Sequence, residues 1–212
     1  MCPSDHERVL DADSGSFLSE VTHLEMRRPP SESPPTPPRS DVSLRRWPTP
    51  ALEPYLELFR RVGTPWLWFA RLTRDSEATA RLLAADDYAV WRLWVGSEVA
   101  GLCELNHGRP GEVKIEYFGL VPEWIGQRLG GYFLRAMVHE AWRGDVRRVW
   151  LHTCSEDHPD ALALYQRVGF EIFRRETEWV PDPRLTGLLP RHAAPHVPLA
   201  ATASRGGDDR RD

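Results

Sequence analysis

Lysine is almost absent from this chain: Lys114 is the only one among 212 residues, so the positive charge is carried by arginine. We read that usage as genome composition rather than function. Lys+Arg 27 against Asp+Glu 31 leaves a net charge of −4. Without a basic surplus to neutralise phosphate backbones, nucleic acid is a poor default partner. Cysteine is scarce as well. Cys2, Cys103 and Cys154 are far apart, odd in number and form no CxxC, which argues against a disulfide framework or structural zinc and for a reducing compartment. No metal-ligand spacing and no internal repeat is seen. No apolar run approaches the ~20 residues of a membrane span. Asp5, Glu7, Asp11 and Asp13 stand where a signal peptide needs basic and then apolar residues. The expectation is a soluble, cytoplasmic protein without a membrane partner.

Proline is plentiful, with 19 residues, and it is clustered. Residues 29–38, PPSESPPTPP, cannot form a helix or strand interior, because proline lacks an amide donor and fixes its own φ. The chain before about Ser40 is polar and aperiodic, which predicts a disordered leader over residues 1–40. Residues 183–212 show no apolar period either and are predicted to be a flexible tail, with Leu185, Leu188 and Leu189 able to pack locally. One domain over residues 41–182 remains.

Within it, Val42–Trp47 reads as a strand. Leu52, Tyr55, Leu56 and Phe59 repeat at helical spacing over Ala51–Val62, and Asp75–Ala85 reads as a second helix capped by Asp75 or Thr73. Tyr88–Val95, Val99–Asn106 and Glu112–Val121 are strand-like runs joined by Gly96-Ser97 and by residues 107–111, hence an antiparallel meander. Leu129, Phe133, Met137 and Ala141 mark one face of a helix running to about Arg143. Arg147–Thr153 reads as a strand, Pro159–Val168 as a helix stopped by Gly169, and Phe170–Arg174 as the start of another strand. The order predicts an α/β (α+β mixed) fold, a central mixed and mostly antiparallel sheet flanked by helices.

The most informative stretch is FGLVPEWIGQRLGGYFL, residues 118–134. A strand ends at a proline, a glycine-containing turn follows and a helix begins. Glycines let backbone amides approach a ligand closely, and the unpaired N–H groups of a first helical turn favour anions. Alone, the segment serves packing as readily as phosphate binding. It is not a Walker loop, since no GKS or GKT is present, and three antiparallel strands before it argue against a dinucleotide fingerprint.

Together with ALALYQRVGF, residues 161–170, and the element order, it resembles the GNAT superfamily of acetyl-CoA-dependent N-acetyltransferases, over roughly Val42 to Val180. VWLHTCSEDHP, residues 149–159, is similar to an uncharacterised bacterial subgroup. The resemblance implies a V-shaped split between the fourth and fifth strands of the domain. It also implies acetyl-CoA as co-substrate, no metal, and a small-molecule or peptide amine as acceptor; a homodimer is allowed. The pantetheine arm would pair with Phe118, Gly119 and Leu120, and the pyrophosphate would rest on Gly126, Gln127, Arg128, Leu129, Gly130 and Gly131. His158 stands where many members have asparagine. Two positions depart from the family's pyrophosphate motif: Ile125 is apolar, and Arg128 replaces an inner glycine. Its guanidinium could crowd the phosphates or pair with them.

Acetyl transfer to an amine needs a base for the acceptor nitrogen and an acid for the leaving thiolate. The resemblance implies Tyr165 as the acid. Glu116 and Glu104 are rival bases, with water a third. Alternation puts Glu116 on one strand face with Lys114, Phe118 and Leu120. His152 and Cys154 share a face but have no evident third member for covalent catalysis. The aromatic Trp66-Leu-Trp-Phe69, with Trp91 and Trp94, would suit an apolar or cationic acceptor, or would simply fill the core. A binding module of the same shape, with a degenerate cofactor turn and no catalysis, is the alternative from another class.

Overall fold

The structure, a computed structural model, describes residues 15–201. The predicted leader and tail lie outside the described residues over 1–14 and 202–212. Among the described residues seven strands form one sheet: β1 (Ser16–Met26), β2 (Val42–Arg46), β3 (Tyr88–Val95), β4 (Glu98–Arg109), β5 (Glu112–Leu120), β6 (Arg148–Cys154) and β7 (Glu171–Pro181). Their spatial order is β2-β3-β4-β5-β6-β1-β7. All neighbours are antiparallel except β5 and β6. The helices are α1 (Leu52–Gly63), α2 (Ala70–Thr73), α3 (Ser76–Leu83), α4 (Leu129–Ala141) and α5 (Ala161–Val168).

The predicted helices and meander form for the reasons their residues suggest. Asp75 caps α3, its carboxylate accepting from the Ala78 amide at 2.8 Å, and Gly169 closes α5 in a left-handed conformation, φ 109°, that glycine adopts without a Cβ penalty. Two cores follow, one on each face of the sheet. Phe133, Leu134, Met137 and Val138 of α4 meet Leu93, Leu105, Ile115 and Leu151 on one side. Tyr55, Phe59 and Val62 of α1 meet Val90, Leu102 and Tyr117 on the other.

The leader expectation needs correcting. Its residues Ser16–Met26 are β1, an eleven-residue strand inserted between β6 and β7. Val21, Leu24 and Met26 are buried there, beside buried Ser19 and His23, and these polar residues dilute the alternation that marks a strand. The hydroxyl of Ser19 donates to Glu156 Oε2 at 2.9 Å, and His23 Nε2 sits 2.6 Å from Glu176 Oε1, so their burial is compensated. The domain therefore begins before residue 41.

The tail is also packed through residue 200. Leu189, Ala193 and Ala194 are buried against Leu67. Arg184 is buried on Asp182 at 2.7 Å and donates to the carbonyls of Ala193, Ala194, Val197 and Pro198. One arginine thereby satisfies four carbonyls of a segment that has no helix or strand of its own. Of the cysteines, Cys103 is a free, buried thiol. Cys154 is disulfide-bonded, which the spacing did not suggest, and Cys2 lies outside the described residues.

The fourth and fifth strands of the predicted domain, β5 and β6, pair only over Glu112–Lys114 with Arg148–Trp150. Beyond that point they diverge, while β5 stays paired with β4 as far as Leu120. The expected V-shaped split is there, and it leaves one backbone edge of β5 without a strand partner.

Candidate functional site

The split opens a cleft of about 400 Å³ lined by Phe118, Gly119 and Leu120 of β5, by Ile125, Gly126 and Arg128–Gly131 at the start of α4, and by His158, Asp160, Ala161, Leu164, Tyr165 and Arg167 around α5. Trp66, Trp68 and Asp157 close it. Nine of the ten residues expected at a cofactor are therefore together. Gln127 is the exception: its side chain turns away, donating to the Glu123 carbonyl at 3.0 Å.

The turn before α4 is built from two left-handed residues. Gly126 has φ 81° and Arg128 φ 60°. For arginine that conformation costs roughly 1–2 kcal/mol. Arg128 is the N-cap of α4 and makes no side-chain cap, so first-turn amides of α4 have no capping acceptor on the cleft side. Gly119 matters for packing: a Cβ there would stand 2.6 Å from Val62 Cγ1 and 3.1 Å from Trp68 Cη2. Its absence lets Trp68 lie against β5 at the cleft wall.

Tyr165 projects from α5 between Phe118 and Phe170, with ring centroids 6.4 and 6.3 Å away. It is 7% exposed, and its hydroxyl makes no hydrogen bond to the described residues. Burial, then the nearby Asp157 carboxylate and the Cys103 thiol, push its phenol well above the ordinary tyrosine range. At neutral pH it holds its proton.

A second, smaller cavity of about 30 Å³ opens from the same wall. It shares Trp68, Phe118, Asp157 and Tyr165 with the cleft and adds Glu116, His152 and Leu151. Glu116 pairs with Lys114 at 3.0 Å and accepts from Asn106 Nδ2 at 2.9 Å. Burial holds His152 well below the ordinary histidine range, so its ring is neutral.

The face predicted for Glu116 is half right. Glu104 pairs with Tyr117 and Leu105 with Ile115, which leaves Glu116 as an extra residue, a β-bulge. Such a bulge resets alternation. Glu116 shares a face with Lys114, but Phe118 and Leu120 pack with Ile115 in the α4 core.

Glu104, the rival base, lies elsewhere. It is fully buried in the α1 core, pairs with Arg71 at 2.9 Å and accepts from the Tyr55 and Tyr88 hydroxyls. It borders neither cavity. Trp91 and Trp94 are remote as well: they sit on β3, where Arg45 and Arg92 stack on Trp94 at 4.6 and 5.0 Å.

The sequence model of the Acetyltransferase (GNAT) family matches residues 43–170, more than half of the chain. The chain belongs to the GNAT acetyltransferase family. No curated protein matches it. A GCN5-related N-acetyltransferase from Kribbella flavida is 16% identical at a TM-score of 0.55, over 82% of this chain and 63% of that one. The GCN5-related N-acetyltransferase of Sphaerobacter thermophilus is 19% identical at 0.53, over 78% and 53%. An aminoglycoside acetyltransferase from an uncultured soil metagenomic sample, solved with trehalose, is 16% identical at 0.50, over 61% and 88%. At these identities the likeness is one of fold. The chain spans between about half and two thirds of the length of the first two.

Two residues of this GNAT cleft, and one packed on its Trp66 wall, were not singled out as functional in the sequence. Arg167 follows Tyr165 by two positions and lies at the mouth. His196, from the packed tail, sits 5.5 Å from Trp66 on which His158 also packs at 5.1 Å. Asp157 borders both cavities. It lies in the connection between β6 and α5, and only the folded chain reveals what it borders. No group of three or more His, Cys, Asp or Glu among the described residues could hold a metal ion. No helix among the described residues is long and apolar enough to cross a membrane.

Proposed function

We propose that the protein is an N-acetyltransferase that moves the acetyl group of acetyl-CoA to a primary amine of a small molecule or peptide. The observation that carries this reading is the cleft itself: an uncapped α4 N-terminus, an unpaired β5 edge and Tyr165 border one space of about 400 Å³. That space suits a drug-sized ligand. The pantetheine arm would hydrogen-bond to the free edge of Phe118–Leu120 as an added strand does. The pyrophosphate would take the first-turn amides of α4, with Gly126, Leu129, Gly130 and Gly131 beneath it and Arg128 beside it. His158 would stand by the same mouth. Bound there, the thioester supplies the acetyl group.

The chain's own part is proton management and positioning. The Tyr165 hydroxyl, kept protonated by burial, is the general acid that returns a proton to the thiolate sulfur. Glu116, on the wall of the adjoining cavity, is the base, taking the amine proton directly or through water. Lys114 Nζ, 3.0 Å from its Oε2, holds the carboxylate in place on that wall. Trp66 and Trp68 exclude water from the acceptor side. Glu104 has no part in the chemistry, since its carboxylate is sealed in another core.

Incubating the full chain with acetyl-CoA and a panel of primary amines, with free thiol as the readout, tests the reading. Amine-dependent thiol release is expected. Thiol release that no amine accelerates would count against transfer and for the non-catalytic binding module.

A further inference from the structure

We propose that Asp157 is the receptor for the cationic head of the acceptor, which makes the second substrate a primary ammonium ion carried on a small apolar body. This rests on the acetyl-transfer reading above and names the other half of its site. Asp157 stands where the two cavities meet, lining both.

Its carboxylate is held in place from three directions. Oδ1 accepts from the Trp68 indole N–H at 3.3 Å, and Oδ2 accepts from the Thr153 hydroxyl and the Cys154 amide, both at 2.9 Å. All three donors are neutral. The carboxylate forms no ion pair with the described residues. A charge so fixed and uncompensated at a cavity wall favours a cation in the cavity.

The other charges sort themselves around it. Arg128 and Arg167 stand at the cleft mouth, with Asp160 beside them. At the inner end, Lys114 neutralises Glu116, and burial keeps His152 uncharged. Among the described residues the mouth is thus left positive and the inner end negative, so one elongated site offers an anion end and a cation end. Size agrees. The inner cavity of about 30 Å³ has room for about two water-sized groups, which suits a methylene and its ammonium. The apolar body would lie against the faces of Trp66 and Trp68, which also favour cations.

Calorimetric titration with phenethylammonium and with phenethyl alcohol, its uncharged analogue, decides the matter. The full chain is expected to bind the ammonium at least about tenfold more tightly, as a charge-assisted hydrogen bond implies. Asp157→Asn keeps an oxygen acceptor for Thr153 and Cys154 and removes the charge. It should abolish that preference and leave the alcohol unchanged. Thr153→Val removes a structural donor but no charge and should keep the preference. Equal binding of the two probes to the unmodified chain, or absence of binding by either at millimolar concentration, would overturn the proposal. So would a preference that survives in Asp157→Asn. A parallel titration with acetyl-CoA separates the two readings: loss of that binding removes the cofactor assignment, whereas retained cofactor binding without ammonium preference removes only Asp157.

Discussion

Arg71 Nη2 lies 2.9 Å from Glu104 Oε2, with both side chains sealed in the α1 core. The pair joins α2, which follows the Trp66–Phe69 wall, to the centre of β4, and the Tyr55 and Tyr88 hydroxyls complete the carboxylate's shell. Removing one partner of a buried pair strands the other charge and typically costs about 3–5 kcal/mol. Glu104→Gln should therefore lower the unfolding free energy from urea denaturation by that order while leaving the shape of the pH–rate profile unchanged. A recovery of turnover at alkaline pH, as expected of a lost base, would restore Glu104 as a candidate for the chemistry.

Deleting residues 1–40 should prevent cooperative folding. The deletion removes β1, which pairs with β6 over Val21–Met26 and with β7 over Ser16–Glu25. It also removes the contacts of Ser19 with Glu156 and of Glu20 with Ser155, on the turn that carries Asp157. A single sharp thermal transition in the shortened chain would show that β1 is dispensable, as its polar composition suggests.

Tyr165→Phe should lower turnover by roughly 10²–10⁴-fold, the usual range of general-acid assistance, with acetyl-CoA affinity nearly unchanged. The ring still packs between Phe118 and Phe170, and only the hydroxyl goes. A donor whose leaving thiol is more acidic should narrow the loss. Full activity in the variant would reduce the residue to packing.

Acid should destabilise the protein from about pH 6.5 downward. Burial depresses the His152 imidazole well below its ordinary value of 6.5 and depresses His107 in the same direction. Below 6.5 the unfolded chain then binds protons that the folded chain does not. Stability falls with pH by up to about 1.4 kcal/mol per unit for each such group, until the depressed folded value is reached. Glu156, raised by burial, acts with the opposite sign, so the comparison is made against a variant. Urea denaturation of His152→Gln between pH 7.5 and 5 should show a shallower slope than the unmodified chain. Equal slopes would contradict the assignment.

The elements that sequence periodicity found are those whose burial is apolar. The meander over Tyr88–Leu120 and the α4 face of Phe133 and Met137 carry their own pattern, and the cleft residues came with the glycine turn and Tyr165. What stayed hidden depends on polar groups satisfied across long stretches of chain. Ser19 is buried because Glu156, 137 residues away, receives its hydroxyl, and the tail is ordered because Arg184 caps it. The bulge at Glu116 is hidden for a related reason: only the partner strand reveals an extra residue. Asp157 belongs to the same class, its position being set by Trp68 from a distant turn.

The central claim, that the cleft between β5 and β6 holds acetyl-CoA, is tested most directly by calorimetric titration of the full chain with acetyl-CoA at low and high salt. The account predicts saturable, one-site binding that weakens as salt screens Arg128 and the α4 amides from the phosphates. Absence of binding at millimolar acetyl-CoA would contradict it.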